Sequence, residues 1–171
     1  MKERHAIYQL IDNFTLFYYK FLVDKPTDEQ YWSNQINMPQ LNAWCGSAFE
    51  RVCLEHVSQI KQALGISGVL SEVYSWACKK DSESGVYGSQ IDLMIVRKDQ
   101  VINLCEMKFS AKNYSVTAKM DDDIRRKTSD FQAVTGARHA IHAILVTPYG
   151  ITVGSYTGSI QKVITTDDLF S

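Results

Sequence analysis

Residues 89–110 read SQIDLMIVRKDQVINLCEMKFS, two apolar runs separated by a short polar turn. Residues 90–96 and 101–108 have the Ile, Leu, Val and Met content of strands, and 97–100 have the composition of the connection. Three charged side chains interrupt this pattern: Asp92 in the first strand, then Glu106 and Lys108 at the end of the second. Carboxylates are rarely buried in strands unless a partner compensates them. Alternation puts Glu106 and Lys108 on one face of their strand, and Asp92 on the same face as Gln90 and Met94. An odd-numbered turn, such as 98–100, would set Asp92 directly opposite Glu106, with Cβ atoms about 4.5–5.5 Å apart. An even-numbered turn would send them to opposite faces. Two like charges at that spacing are destabilising without something between them. A divalent cation with oxygen ligands, Mg²⁺ or Mn²⁺, would supply the compensation. The plainer reading is a structural salt bridge among Asp92, Glu106 and Lys108 at a sheet edge. Against it, the neighbours Ile91, Leu93, Ile95, Leu104, Cys105 and Met107 are apolar, which predicts a central hairpin, where uncompensated charge is most costly.

The rest of the chain reads around this hairpin. Its 171 residues suit one domain with a sizeable core. With 18 basic and 19 acidic side chains there is no global basic field, so a nucleic-acid partner would need a local patch. The apolar stretches fall well short of the roughly 18–20 residues that cross a bilayer, and no leader pattern opens the sequence. Cys45, Cys53, Cys78 and Cys105 form no CxxC pair and sit among apolar residues, as reduced thiols of a cytoplasmic protein do. Helical spacing over 7–22 predicts an N-terminal helix with more apolar surface than one face needs, followed by a connector to residue 40. Gly46-Ser47 is expected to open a second helix that stops at Gly65. A strand over 69–77, the hairpin, a helix over 115–134 stopped by Gly136, and a strand over 140–147 follow. Short strands at 151–155 and 159–165 close the chain. The expected organisation is an N-terminal helical segment and connector, 1–40, and one α/β domain, 41–171.

A helical glutamate, a strand aspartate and E-x-K at the end of the next strand, in this order, resemble the PD-(D/E)xK nuclease superfamily. The resemblance implies a restriction-endonuclease-like αβββαβ core, a mixed sheet flanked by helices, with an extra N-terminal helix here. It implies Asp92 and Glu106 as ligands of Mg²⁺ or Mn²⁺, Lys108 as the catalytic lysine, Glu50 as a helical carboxylate assisting the metal, and Gln90 as an accessory residue. The proline of the "PD" half is replaced by Ile91. Further stretches, Tyr8-Gln-Leu-Ile-Asp12, Trp44-Cys-Gly-Ser-Ala-Phe-Glu50, Cys105-Glu-Met-Lys-Phe109 and Asp167-Asp-Leu-Phe170, resemble the C-terminal region of bacterial and archaeal AAA-type ATPases. The chain has no G-x-x-x-x-G-K-[ST] loop, so by this resemblance it is a C-terminal part or a free-standing relative. The implied activity is metal-dependent hydrolysis of nucleic-acid phosphodiesters, DNA first. The alternative is a catalytically silent DNA- or protein-binding domain serving an ATPase module. Cutting both strands of a duplex would call for a homodimer.

Other residues have competing readings. Ser47-x-x-Glu50 is also a capping box, which would turn Glu50 back to its own helix terminus. Lys79, Lys80, Lys98 and Lys112 flank the hairpin as candidate nucleic-acid contacts. Lys119 and Arg125-Arg126-Lys127 could line a phosphate-binding face, but Asp121-Asp122-Asp123 beside them reads as a mixed, solvated helix surface. His56, at the centre of an apolar stripe, reads as a core histidine.

Overall fold

The computed structural model describes residues 10–23, 30, 33, 38–83 and 85–171. It divides into two compact units, Met1–Arg51 and Val52–Ser171.

In the first unit, helix α1 (Asn13–Phe17) is capped by Asp12, whose carboxylate accepts the Thr15 N–H at 2.6 Å. It runs into a π-helical turn, Tyr18–Leu22. The expected 7–22 helix is thus realised from Asn13 onward, and residues 7–9 lie outside those described. Phe21 is buried, with its ring 6.0 Å from Trp44, and Phe17 stacks edge-on to Trp44 at 5.3 Å.

Helix α2 (Pro39–Glu55) corrects the expectation of a start at Gly46-Ser47. Proline at the first helical position loses nothing by lacking an N–H, so Pro39 is the true start signal. Ser47 is then mid-helix, its hydroxyl donating to the Ala43 carbonyl at 3.4 Å. The capping-box reading of Ser47 and Glu50 falls with this. The helix breaks at His56, and α3 (Val57–Ala63) continues. The His56 Nδ1 donates to the Val52 carbonyl at 2.8 Å and its ring packs edge-on to Phe170 at 4.7 Å, a structural role.

The second unit is built on a mixed five-stranded sheet: β1 (Ser71–Cys78), β2 (Ser89–Arg97), β3 (Val101–Met107), β5 (Ala140–Val146) and β7 (Ile160–Ile164), in spatial order β1-β2-β3-β5-β7. The first three strands are antiparallel, while β3–β5 and β5–β7 are parallel. A two-stranded parallel ribbon, β4 (Tyr114–Ser115) with β6 (Ile151–Thr152), stands apart from it. Helix α4 (Ala118–Thr135) lies between β3 and β5 in sequence, and α5 (Thr166–Phe170) ends the chain. Thr117 caps α4 by accepting the Met120 N–H, and Gly136 at φ 65° ends it. The α4 side of the sheet carries one apolar cluster of Ile91, Met94, Ile102, Leu104 and Phe131 and another of Met120, Ile124, Ala143 and Leu145. On the alternate row, burial pushes the Cys105 thiol up to about 12, reinforced by neighbouring Cys53, so this pair is inert packing.

Between β1 and β2, Gly88 at φ 87° is required: a Cβ there would meet the Lys80 backbone nitrogen at 2.9 Å. Among the described residues, no helix is long and apolar enough to cross a membrane.

Candidate functional site at the end of β3

Strands β2 and β3 pair from Val96↔Ile102 to Leu93↔Cys105. The turn between them is Lys98–Asp99–Gln100, an odd number, with Gln100 in the left-handed region at φ 68°. That is the geometry of a three-residue hairpin loop. The paired segment ends at Leu93, one residue short of Asp92. On its other side β2 carries a bulge. Tyr74 pairs with Met94 and Trp76 with Ile91, so Asp92 and Leu93 together oppose Ser75. Asp92 is half-buried, and its Oδ1 accepts the Gln90 side-chain amide at 2.6 Å. Ser89 and Ile91 face α4, so Gln90 and Asp92 lie on the other side of the sheet from Glu106, which corrects the expected facing pair: the bulge breaks the alternation.

Glu106 closes the row Ile102, Leu104, Glu106 on the α4 side of the sheet and is 9 % exposed. Its two oxygens have separate partners: Lys108 Nζ lies 2.6 Å from Oε1, and Lys127 Nζ lies 2.6 Å from Oε2. Burial pushes the Glu106 carboxyl up. The hydrogen bonds from Lys108 and Lys127, reinforced by their charges, outweigh that and hold it below the usual glutamate value. The buried carboxylate is therefore compensated by two ammonium groups.

Glu106 opens onto a cavity of about 320 Å³ formed with the β3–α4 connection and the first turns of α4. Its charged lining is Lys108, Lys119 and Lys127 against Glu106 and Asp123, with Tyr114 and Thr117 on the connection side. Asp123 is tied at 2.9 Å to Arg126. The excess of lysine, together with the start of α4, suits an anion.

The acidic neighbours of Lys127 predict a solvated surface, and the structure differs. Lys127 is 85 % withdrawn from solvent, the complement of a 15 % exposed side chain. The signal was available: Met120, Ile124, Lys127 and Phe131 follow one helical stripe at i, i+4, i+7 and i+11. The acidic run at 121–123 obscured it.

The other expected site residues of the second unit lie elsewhere. Asp92 is not among the cavity's lining residues. Lys98 is in the hairpin turn, at the opposite end of β3 from Glu106, where it pairs with Glu72 at 3.8 Å. Lys79 and Lys80 are exposed just past β1, and Lys112 lines a separate shallow cavity with Tyr149 and Thr152. Glu50 belongs to the first unit, within α2.

Among the described residues, no group of three or more Asp, Glu, His or Cys is arranged to hold a metal. Mg²⁺ commonly binds through only one or two carboxylates plus water and phosphate, and the Asp92 and Glu106 oxygens are of the type it takes. The arrangement does not fit a shared ion: Asp92 lies on the other side of the sheet from Glu106, and each Glu106 oxygen faces an ammonium group. No protein family, curated protein or solved structure matches this chain.

Proposed function

We propose that the second unit is a nuclease-like domain of the PD-(D/E)xK type, with a restriction-endonuclease-like core, acting on nucleic-acid phosphodiesters and on DNA first. The observation that carries this reading is the placement of Glu106-x-Lys108. The motif ends a central strand and faces a lysine-rich cavity.

In this reading the resemblance would assign Mg²⁺ or Mn²⁺ to Asp92 and Glu106, with Gln90 bonded to the Asp92 carboxylate, and a shared ion would require the two carboxylates to come to one side of the sheet. A metal bound there would lower the pKa of a water and neutralise charge on the scissile phosphate. Lys108, 39 % exposed, can reach from Glu106 toward the cavity and orient the attacking water or stabilise developing charge. Lys119 offers a second cation to the phosphate from the first turn of α4.

The test is incubation of the purified chain with supercoiled, linear, single-stranded and branched DNA in Mg²⁺ or Mn²⁺, beside EDTA, Asp92→Ala and Lys108→Ala. Metal-dependent cleavage lost in both variants is the expected result. No cleavage of any substrate, with Mn²⁺ bound no better by wild type than by Asp92→Ala, overturns it.

A second reading has its own observation: with both Glu106 oxygens held by lysines, the site is neutralised without metal. It describes a silent DNA- or protein-binding domain, such as one serving a AAA-type ATPase module. Salt-sensitive DNA binding unaffected by metal and by Asp92→Ala would favour it.

A further inference from the structure

The cavity at the end of β3 is unbalanced in charge. Lys108, Lys119 and Lys127 line it, and two carboxylates, Glu106 and Asp123, face them. Asp123 is tied at 2.9 Å to Arg126, which is not a lining residue, so its charge is met from outside. Three lysines then stand against Glu106, an excess of two positive charges around a concave space of about 320 Å³. Glu106 fixes where that charge sits. Its two oxygens lie 2.6 Å from Lys108 Nζ and 2.6 Å from Lys127 Nζ, so a buried carboxylate holds two mutually repelling ammonium groups together. Lys119, exposed on the first turn of α4, has no ion-pair partner among the described residues.

We propose that this cavity is a metal-independent site for a phosphate monoester, the group carried by a nucleotide or by the phosphorylated end of a nucleic-acid strand. A monoester bears about −1.5 to −2 charge at pH 7 and matches the excess, whereas a diester bears a single charge and leaves half of it unmet. A divalent cation would add to the excess instead of meeting it. The other lining residues bear on what the phosphate is attached to. Tyr114, Met120 and Ile124 contribute an aromatic ring and apolar surface. The volume stands at the lower end of the ~300–1,000 Å³ of small-molecule sites, which suits a nucleoside with Tyr114 as the ring beside its base. Within a nucleic acid a monoester occurs only at a strand end, so the site grips ends and not the continuous backbone. The proposal goes beyond the hydrolytic reading and does not depend on it, since binding needs neither metal nor cleavage.

Isothermal titration calorimetry in EDTA tests it, with adenosine 5′-monophosphate, the methyl ester of its phosphate, adenosine and inorganic phosphate as probes. The monophosphate should bind at least about fivefold more tightly than its methyl ester, whose phosphate keeps one charge. Inorganic phosphate and adenosine, each lacking half of the ligand, should bind more weakly still. Lys119→Ala and Lys127→Met should each weaken the monophosphate about tenfold, the scale of one lost charged hydrogen bond. Lys112→Ala, in the separate shallow cavity, should leave it within about twofold. Oligonucleotides bearing a 5′-phosphate, a 3′-phosphate or neither separate the two sources. A phosphorylated strand held more tightly than the free nucleotide assigns the strand end, and strands held no better with a phosphate than without assign the free nucleotide.

Should Lys127→Met fail to fold, Lys119→Ala at its exposed position decides. Equal binding of the monophosphate and its methyl ester, parity of phosphate or adenosine with the nucleotide, an affinity unmoved by Lys119→Ala, or no binding of any probe overturns the proposal. Binding in EDTA without cleavage of any DNA sustains this site while the nuclease reading falls, and metal-dependent cleavage without monoester binding does the reverse.

Discussion

The two ends of the β2–β3 hairpin carry the same kinds of charged residue in opposite surroundings. At the turn end, Arg97 pairs with Asp99 and Lys98 with Glu72, all with at least one partner in solvent. At the open end, Glu106 is 9 % exposed and held by Lys108 and Lys127. Water screens the first set, so each pair gains little. The second has given up much of its hydration and depends on its partners. Ion pairs alone do not mark a site. A carboxylate desolvated at a strand end, beside a cavity, does.

The strongest way to break this contrast is Glu106→Ala. It leaves the Lys108 and Lys127 ammoniums facing each other with no anion between them, and a loss of about 3 kcal/mol in unfolding free energy is expected. Chemical denaturation measures it. Glu106→Gln should recover little of that loss, because an amide cannot serve two cations.

A third carboxylate sharpens the point. Asp130, 2 % exposed on α4, accepts the Ser89 hydroxyl at 2.6 Å and the Tyr87 N–H at 3.2 Å, both neutral donors. Asp130→Ala strands those donors and should cost about 2 kcal/mol. Asp130→Asn should cost clearly less, since its carbonyl can accept from Tyr87 while its amide donates to the Ser89 hydroxyl. The ratio of the Asn or Gln loss to the Ala loss thus separates neutral compensation from ionic compensation at two buried carboxylates of one domain.

These differences also mark how far the sequence could be read. The hairpin was legible because strand alternation and turn parity are local rules: an odd turn, 98–100, fixes the register wherever β2 and β3 pair. The Gly136 stop was legible for the same reason. The start of α2 was not, because a glycine-serine pair resembles a boundary and Pro39 reads as the end of a connector. Lys127 was missed for a physical reason: which cation reaches Glu106 depends on how α4 crosses the sheet, a tertiary fact. The sequence pattern alone suggested a metal between two carboxylates, whereas the partners observed at Glu106 are ammonium groups.

The acid limb of stability should distinguish the two ends more gently. Glu106 is held below the usual glutamate value, so between that value and its folded one the unfolded chain binds a proton that the folded chain does not. Its contribution is complete above the ordinary glutamate range, about pH 4.3, and is lost as pH falls through the folded value. Unfolding followed from pH 7 down to pH 3 should show a shallower acid decline in Glu106→Gln than in wild type. An unchanged slope would mean that the Glu106 carboxyl titrates alike in the folded and unfolded chains, and the two-lysine clamp would lose its electrostatic basis.

The smallest effect is expected at the turn. Lys98→Ala removes an ion pair of 3.8 Å between side chains that are 65 % and 54 % exposed. Holding two long side chains together in water offsets most of the attraction, and salt screens the remainder. Its denaturation midpoint should match wild type within measurement scatter at 0.15 M salt, and the same substitution at Lys127 should not. If Lys98→Ala proved as damaging as Lys127→Ala, burial would not be what separates the two ends. The backbone of the turn, where Gln100 holds φ 68°, would then be the place to look for a hairpin stabilised through its loop. Gln100→Gly tests that branch directly, because glycine accepts the left-handed conformation without strain and should hold or raise stability if the loop geometry is what matters.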